Sequence, residues 1–202
     1  MESLKGSLLI AAPSLVDPNF ARTVVLMAEH NKDGALGLVL NRPASIKLSK
    51  LWGTIAKEEK EEEVVSEDVA FTGGPVQKNA LLFLHGHPEV AGDAEPIIPG
   101  VYMGGEIEVL GKLLRGEVQT GELEAGAAQR ERDVRVRVFC GYSGWGAGQL
   151  DREMEAGGWL TLPAKSDHIF HDEPLKLWGQ TMKSLGGEYS FFSLMPPKPE
   201  LN

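Results

Sequence analysis

The segment FARTVVLMAEHNKDGALGLVLN, residues 20–41, limits the fold of this chain more than any other stretch. It contains two apolar runs, Thr23–Glu29 and Leu36–Leu40, which the polar sequence NKDG separates. Gly34 closes that sequence, and glycine adopts the positive φ of tight hairpin turns without steric cost. The segment therefore predicts an antiparallel β-hairpin. Pro43 should end the pairing of the second strand, because proline lacks the N–H that a ladder requires.

The rest of the chain predicts a mixed architecture of roughly seven strands and four helices. The predicted helices cover about 48–56, about 106–114, a short stretch around Leu150 and Met154, and a final segment that starts near Pro174. The other predicted strands include Ala80–Leu84, Val134–Cys140 and the sequence WLTLPA. Strands and helices do not alternate strictly, which argues against a doubly wound sheet. We expect one α+β domain over residues 1–202, because this length supports one hydrophobic core.

The net charge of the chain argues against direct contact with nucleic acid. Twenty lysines and arginines stand against 29 acids, a formal charge of −9, whereas sequence-independent DNA affinity comes from cations that neutralise phosphates. The basic candidate is RERDVRVR, residues 130–137, in which Arg135 and Arg137 alternate with valines. This period of two favours a half-buried strand with one solvated face over a DNA-binding face.

The location that the sequence predicts is the cytoplasm, without membrane contact. A single cysteine, Cys140, allows no internal disulfide, as is usual in reducing compartments. The apolar runs, such as Leu8–Ala12, are far shorter than the roughly 20 residues that span a bilayer. The N-terminus also lacks the apolar stretch of a signal peptide.

The glycine-rich sequence FCGYSGWGAGQL, residues 139–150, matches none of three catalytic or phosphate-binding motifs. Ser143 is one residue out of register for a nucleophile elbow. Gly141 and Gly146 have the spacing of a Walker loop, but its lysine is absent, and Gln149 replaces the third glycine of a dinucleotide motif. We interpret the sequence as a tight connection from a strand that ends at Cys140 to a short helix, with Trp145 packed onto the sheet.

The exposed amides of such a connection predict a weak anion site. Backbone N–H groups at the start of a helix lack internal partners and attract negative charge. The proposed anion-binding residues are Ser143, Gly144, Trp145, Gly146, Gly148 and Gln149, together with Arg22 and Arg42, which flank the hairpin at one end. An alternative is that Asp151 and Glu153 satisfy the helix start. The two arginines could equally form ion pairs with Asp17 or a glutamate.

No catalytic residue, metal or cofactor is predicted. Cys140 has two interpretations, a reactive thiol before a helix start or a small apolar residue at a strand end, and its neighbours Val138 and Phe139 favour the second. The pairs His85/His87 and His168/His171 could each ligate a metal, but zinc would need two further ligands that the sequence does not indicate.

Several of these segments resemble the bacterial AlgH/YqgE family. The resemblance rests on residues 6–43, on FTGGPV, on FCGYSGWGAGQL and on the final W…LGGEY stretch, in the family's order from about Leu4 to Tyr189. It implies a mixed, largely antiparallel sheet curled into a partial barrel with flanking helices. It also implies a role in regulating transcription, with no agreed biochemical activity and no established catalytic residues.

Three functions follow as hypotheses. The leading one is a cytoplasmic, non-enzymatic regulatory protein that acts indirectly, through an unknown protein partner or a small anionic ligand. The second is an enzyme that acts on a phosphorylated or nucleotide-like substrate near the glycine segment. The third, a DNA-binding repressor, conflicts with the charge of −9.

Overall fold

The fold is known from a computed structural model that describes residues 2–59, 68–92, 95–104, 106–115, 117 and 136–195. The strands are β1 (Ser7–Ala11), β2 (Val24–Asn31), β3 (Gly34–Val39), β4 (Pro43–Lys47), β5 (Val69–Thr72), β6 (Val76–His85), β7 (Tyr102–Gly104), β8 (Val136–Gly146) and β9 (Trp159–Pro163). The α-helices are α1 (Leu48–Glu59), α2 (Ile107–Leu114), α3 (Gln149–Glu155), α4 (Ser166–Ile169) and α5 (Leu177–Leu185). Short 3-10 helices cover Pro88–Val90, Pro174–Lys176 and Gly187–Leu194.

The nine strands form one mixed sheet that does not close into a barrel. Its main order is β4-β5-β8-β3-β2-β1-β9, and β6 pairs with both β7 and β8. The pair β5–β8 is parallel, whereas the other strand pairs of the described chain are antiparallel. The α+β class and the largely antiparallel sheet are therefore as predicted.

The predicted hairpin is confirmed. β2 and β3 pair from Val25↔Val39 to Asn31↔Gly34, so the turn consists of Lys32 and Asp33. Gly34 has the expected positive φ, 147°. Side chains alternate across this hairpin, so Leu26 and Leu38 enter the main core while Val25 and Val39 enter a core on the opposite face of the sheet. Burial on both faces explains why the two runs are almost wholly apolar.

Helices cover the sheet in three places. Trp178 and Met182 of α5 pack on the main core, beside Leu8, Leu26 and Phe139. Leu150 of α3 packs on the opposite face against Leu9 and Met27. At the end formed by β5, β6 and β8, α1 and α2 enclose a further core that contains Trp52, Phe83, Leu110 and Val138. In the described part of the chain, none of the helices has the length and apolarity to cross a bilayer.

The structure corrects three predictions. The described residues form nine strands and five α-helices, not roughly seven and four, and among them β4 and the four-residue helix α4 were not predicted. The strand expected to end at Cys140 continues to Gly146. Arg137 is not on a solvated strand face, because its guanidinium lies 4.3 Å from the ring centroid of Phe71. Residues 118–135, which include Arg135, lie outside the described residues.

Candidate functional site

The glycine-rich segment meets two other sequence motifs at one end of the sheet. The amide of Thr72 donates to the carbonyl of Arg42 over 2.8 Å, and the next amide, of Gly73, donates to Cys140 over 3.0 Å. The carbonyl of Gly73 accepts from the amide of Val39 over 2.9 Å and from the Ser143 hydroxyl over 3.1 Å. Hydrogen bonds therefore join the backbones of three motifs, NRP, FTGGPV and FCGYSG. The fully buried side chain of Ser143 contributes one of the bonds.

Glycine is required here because two backbones touch. A Cβ on Gly73 would lie 2.2 Å from the carbonyl oxygen of Gly141, and a Cβ on Gly74 would lie 2.3 Å from the carbonyl of Tyr142. Gly141 itself has a φ of 71°, where β8 passes from its pairing with β5 and β6 to its pairing with β3. We call this contact between residues 72–74 and 140–143 the glycine crossing. The close approach of the two backbones therefore explains why these positions are glycine.

The predicted loop is shorter than the sequence suggested. Gly144, Trp145 and Gly146 pair with Leu36, Ala35 and Gly34 of β3, so the connection to α3 consists of Ala147 and Gly148 alone. Gly148 has a φ of 66° and precedes a helix of seven residues. The amide of Gly146 already donates to the side-chain oxygen of Gln149 over 3.1 Å. One backbone donor of the proposed anion site is therefore already hydrogen-bonded within the protein.

The carboxylate of Glu153 accepts hydrogen bonds from two side chains of the predicted anion-binding segment, Trp145 and Gln149. One oxygen of Glu153 accepts from the indole nitrogens of Trp145 over 3.0 Å and Trp159 over 2.8 Å. Its other oxygen accepts from the side-chain nitrogen of Gln149 over 2.9 Å. Phe20 completes the group, with its ring 5.9 Å from Trp145 and 5.4 Å from Trp159. We call Phe20, Trp145, Gln149, Glu153 and Trp159 the tryptophan cluster.

The two arginines bind backbone carbonyls. Arg42 donates to Asn19 over 2.5 Å, to Pro18 over 2.8 Å and to Ala21 over 3.4 Å, which fixes the loop before β2. Burial lowers the pKa of Arg42, and the charge of Asp17 partly offsets that shift.

Arg22 holds a second contact at the same end of the sheet. Its guanidinium lies 4.6 Å from the ring centroid of Trp178 and donates to the carbonyl of Met195 over 3.2 Å. Both arginines therefore contribute to holding the chain at this end of the sheet, and an anion site at Arg22 and Arg42 stays a prediction.

Cys140 lies in a strand and behaves as a packing residue. It pairs with Thr72 of β5 and Leu81 of β6, and it packs against the core that contains Trp52. Burial raises the pKa of its thiol, so the reactive thiolate form is disfavoured at neutral pH.

The histidine pairs also have structural contacts. The ring nitrogens Nδ1 of His168 and His171 accept from the amides of Lys165 and Glu173, over 3.1 and 2.9 Å. His85 and His87 are buried at the end of β6, with exposed fractions of 1% and 2%. Within the described residues, no three potential ligands gather into a metal site.

The sequence interpretation missed an exposed apolar stripe near the C-terminus. Phe191 and Leu194 are 76% and 82% exposed, on the 3-10 helix Gly187–Leu194. The available signal was their spacing of three residues, since side chains three apart lie on one face of a 3-10 helix. An α-helix, with 3.6 residues per turn, would align Phe191 and Leu194 less closely than a 3-10 helix does.

Comparison with known proteins gives a consistent family. A model described as AlgH-like (DUF179) matches residues 8–190. A UPF0301 protein from Chlorobaculum tepidum is 38% identical over 197 residues, which are 98% of this chain and 95% of the relative. A UPF0301 protein from Chlorobium luteolum is 39% identical, over 98% of this chain and 94% of the relative.

Two solved structures share the fold. The solution structure of the AlgH protein from Pseudomonas aeruginosa aligns with a TM-score of 0.71 and 28% identity, over 97% of this chain and 96% of that one. A crystal structure of a protein from Corynebacterium diphtheriae aligns with a TM-score of 0.69 and 19% identity, over 96% and 93% of the two chains.

Proposed function

The chain belongs to the AlgH-like family, and from that premise we propose that it is a non-enzymatic regulatory protein that acts by binding another protein. We place this activity in the cytoplasm and expect any effect on transcription to be indirect. The single observation that carries the proposal is the exposed stripe formed by Phe191 and Leu194.

The stripe belongs to a helix whose other side is anchored. Tyr189 and Phe192 of the same 3-10 helix pack against the main core. The carbonyl of Met195, just after the helix, accepts from Arg22 over 3.2 Å. Because the inward side chains fix the helix, the two outward side chains stay in water at a definite position. Large exposed apolar groups that lie side by side are typical of surfaces that bind protein.

The charges around the stripe define the chemistry of the partner. Glu188 precedes Phe191 by three residues, is exposed, and therefore lies on the same face. The whole chain carries a formal charge of −9. A partner that complements both features presents an apolar side chain flanked by lysine or arginine, because opposite charges steer and orient such contacts.

The contacts of the predicted anion site favour a protein partner over a small anion. Trp145 and Gln149 already donate to Glu153, and Arg42 already donates to three carbonyls. An added anion would have to displace these bonds. A carboxylate beside the site would also repel it.

A peptide-selection experiment tests the proposal. A random peptide library is selected on the full chain, and the enriched peptides are measured by fluorescence anisotropy. We expect sequences that combine Leu or Phe with Lys or Arg, and binding that Phe191→Ser combined with Leu194→Ser abolishes. Val16→Ser is the matched control, since Val16 is an equally exposed apolar residue, 83% exposed, in the loop before β2 and not on the helix of the stripe.

Three results would contradict the proposal. One is selected peptides whose binding the double variant leaves unchanged. Another is concentration-dependent dimerisation, seen by sedimentation and removed by the double variant, because the stripe would then bind a second copy. The third is tight binding to a labelled DNA duplex at about 50 mM salt, where electrostatic binding is strong.

A further inference from the structure

A second group of polar side chains is buried at the end of β6, apart from the stripe. His85 and His87 are 1% and 2% exposed. The ring of His85 stacks on Tyr102 at 5.7 Å and on His87 at 6.4 Å. Glu89 follows in the 3-10 turn Pro88–Val90. We call His85, His87, Glu89 and Tyr102 the histidine cluster.

The hydrogen bonds of the histidine cluster assign the protons of both neutral rings. Nδ1 of His85 accepts from the amide of His87 over 3.3 Å, so the ring proton of neutral His85 is on Nε2. Nδ1 of His87 lies 3.0 Å from a carboxylate oxygen of Glu89. Because an ionised carboxylate only accepts, Nδ1 of His87 carries the proton. Nε2 of His87 then bears a lone pair, and it is buried without a hydrogen-bond partner.

This arrangement contains two imidazoles and one carboxylate. Nδ1 is the nitrogen of neutral His85 that can take up a further proton. That proton removes the acceptor of the His87 amide, and the carboxylate of Glu89 contacts the ring of His87 instead of that of His85. The charged groups that act on His85 are His87, which lowers its pKa, and Glu89, which raises it, while burial is the largest cause of the lowered pKa.

Within the described residues, the elements packed against His85 offer little to balance a charge on its ring. β7 contributes the ring of Tyr102, and β8 contributes Val136 opposite His85. The turn contributes Glu89, whose side chain is 36% exposed. A charge on the buried ring of His85, which is 1% exposed, therefore favours opening of the cluster.

The segment after His87 is held by weak contacts. The amide of Val90 donates to His87 over 3.4 Å, and the amide of Ala91 donates to Pro88 over 3.2 Å. Val90 packs as a partly buried residue against the core that contains Trp52. Long hydrogen bonds and partial burial are features of segments that open locally while the rest of a protein stays folded.

We propose that the histidine cluster is a proton-operated latch, in which protonation of His85 releases residues 86–92 and uncovers the apolar surface beneath Val90. Release needs no change elsewhere in the sheet, and neutral pH closes the latch again. The latch is separate from the stripe and does not depend on a partner protein.

Hydrogen exchange on the full chain, followed by mass spectrometry between pH 8 and pH 5, tests the latch. After correction for the intrinsic exchange rate, we expect protection of residues 86–92 to fall by up to about tenfold per pH unit once one proton drives the opening. Peptides from β1 and β2 should keep their protection, because they belong to the buried cores.

Two variants and a control decide the outcome. His85→Phe keeps an aromatic ring against Tyr102 and should remove the pH dependence, and His87→Gln should reduce it. His30→Gln is the matched control, since His30 lies in β2 and accepts from the amide of Leu4; it should leave the pH dependence intact. Equal loss of protection in β1 and β2 would overturn the proposal, and so would a pH dependence that both cluster variants retain.

Discussion

The tryptophan cluster and the histidine cluster bury polar side chains in opposite ways. In the first, one carboxylate, of Glu153, accepts from two indoles and an amide, so each of the two indole nitrogens has a partner. In the second, one carboxylate, of Glu89, serves one of two imidazoles, and Nε2 of His87 has none. Indole nitrogens do not titrate near neutral pH, whereas imidazole nitrogens do.

This difference separates a structural polar cluster from a responsive one. A fully satisfied cluster rigidifies the core around it, and removal of its acceptor, Glu153, leaves buried donors without a partner. A partly satisfied cluster is costly as it stands, so proton uptake changes its stability. The glycine crossing belongs with the first kind, since its backbone contacts allow no added atom.

We expect the largest effect from a substitution at the glycine crossing, which belongs to the rigid part of the molecule. Gly73→Ala would place a Cβ 2.2 Å from a backbone oxygen of Gly141, and we expect a loss of about 3 kcal/mol or more in the free energy of unfolding. Gly53→Ala is the control: nothing lies within 4 Å of its added Cβ, and alanine in a helix should be neutral or stabilise by about 1 kcal/mol. Urea denaturation measures both. Equal stabilities would show that the crossing is loose.

Glu153→Ala should have the next largest effect on stability, and it tests the carboxylate of the tryptophan cluster. It leaves the indole nitrogens of Trp145 and Trp159 without their acceptor, at a cost of about 2–3 kcal/mol. Glu153→Gln keeps one acceptor oxygen and should cost about 1 kcal/mol. Indole NMR signals should shift in both variants. A loss below about 0.5 kcal/mol for Glu153→Ala would remove the distinction between the clusters.

Cys140→Ser probes β8 at the first residue of its part of the glycine crossing. A hydroxyl in place of the thiol should cost about 1–2 kcal/mol if it finds no hydrogen bond. Native Cys140 should also react slowly with iodoacetamide at pH 7, because burial raises the pKa of the thiol. Rapid alkylation of the folded protein would instead identify an accessible thiolate.

The histidine cluster, and not the tryptophan cluster, should make stability depend on pH. The pKa of His85 is lowered in the folded protein, so the unfolded chain takes up a proton first. Above a pH of about 6.5, His85 does not lower the free energy of unfolding. As the pH falls below that value, the free energy of unfolding decreases by at most about 1.4 kcal/mol per pH unit. Denaturation of wild type and His85→Phe at pH 7 and pH 5.5 measures this. A slope that His85→Phe preserves would assign it to another group.

The smallest expected effect is that of His87→Phe. Phenylalanine removes a buried imidazole nitrogen, Nε2, that has no partner among the described residues, and the Glu89 side chain is 36% exposed, so water can replace its bond to His87. We expect a change within about 0.5 kcal/mol at pH 7, although the bond to Glu89 is lost. A large loss would mean that His87 is as firmly integrated as Trp145.

Short-range features could be predicted well from the sequence. The hairpin, the turn at Gly34, the helix Ile107–Leu114 and the end of α5 at Gly186 follow from periodicity and turn chemistry. The end of β8 could not be predicted in this way, because four glycines between Gly141 and Gly148 indicate a turn when considered alone. Pairing with Gly34–Gly37 of β3 makes that stretch a strand instead.

The sequence by itself determined the α+β class, the position of the hairpin, the absence of a Walker lysine and the acidic charge of −9, since each depends on neighbouring residues or on composition. The tertiary structure alone decided which polar groups meet. Ser143 reaches Gly73 across 70 positions, and Arg22 reaches Met195 across 173. Because a polar group becomes structural or responsive according to the partners it finds after burial, only the folded chain distinguishes Glu153 from His87.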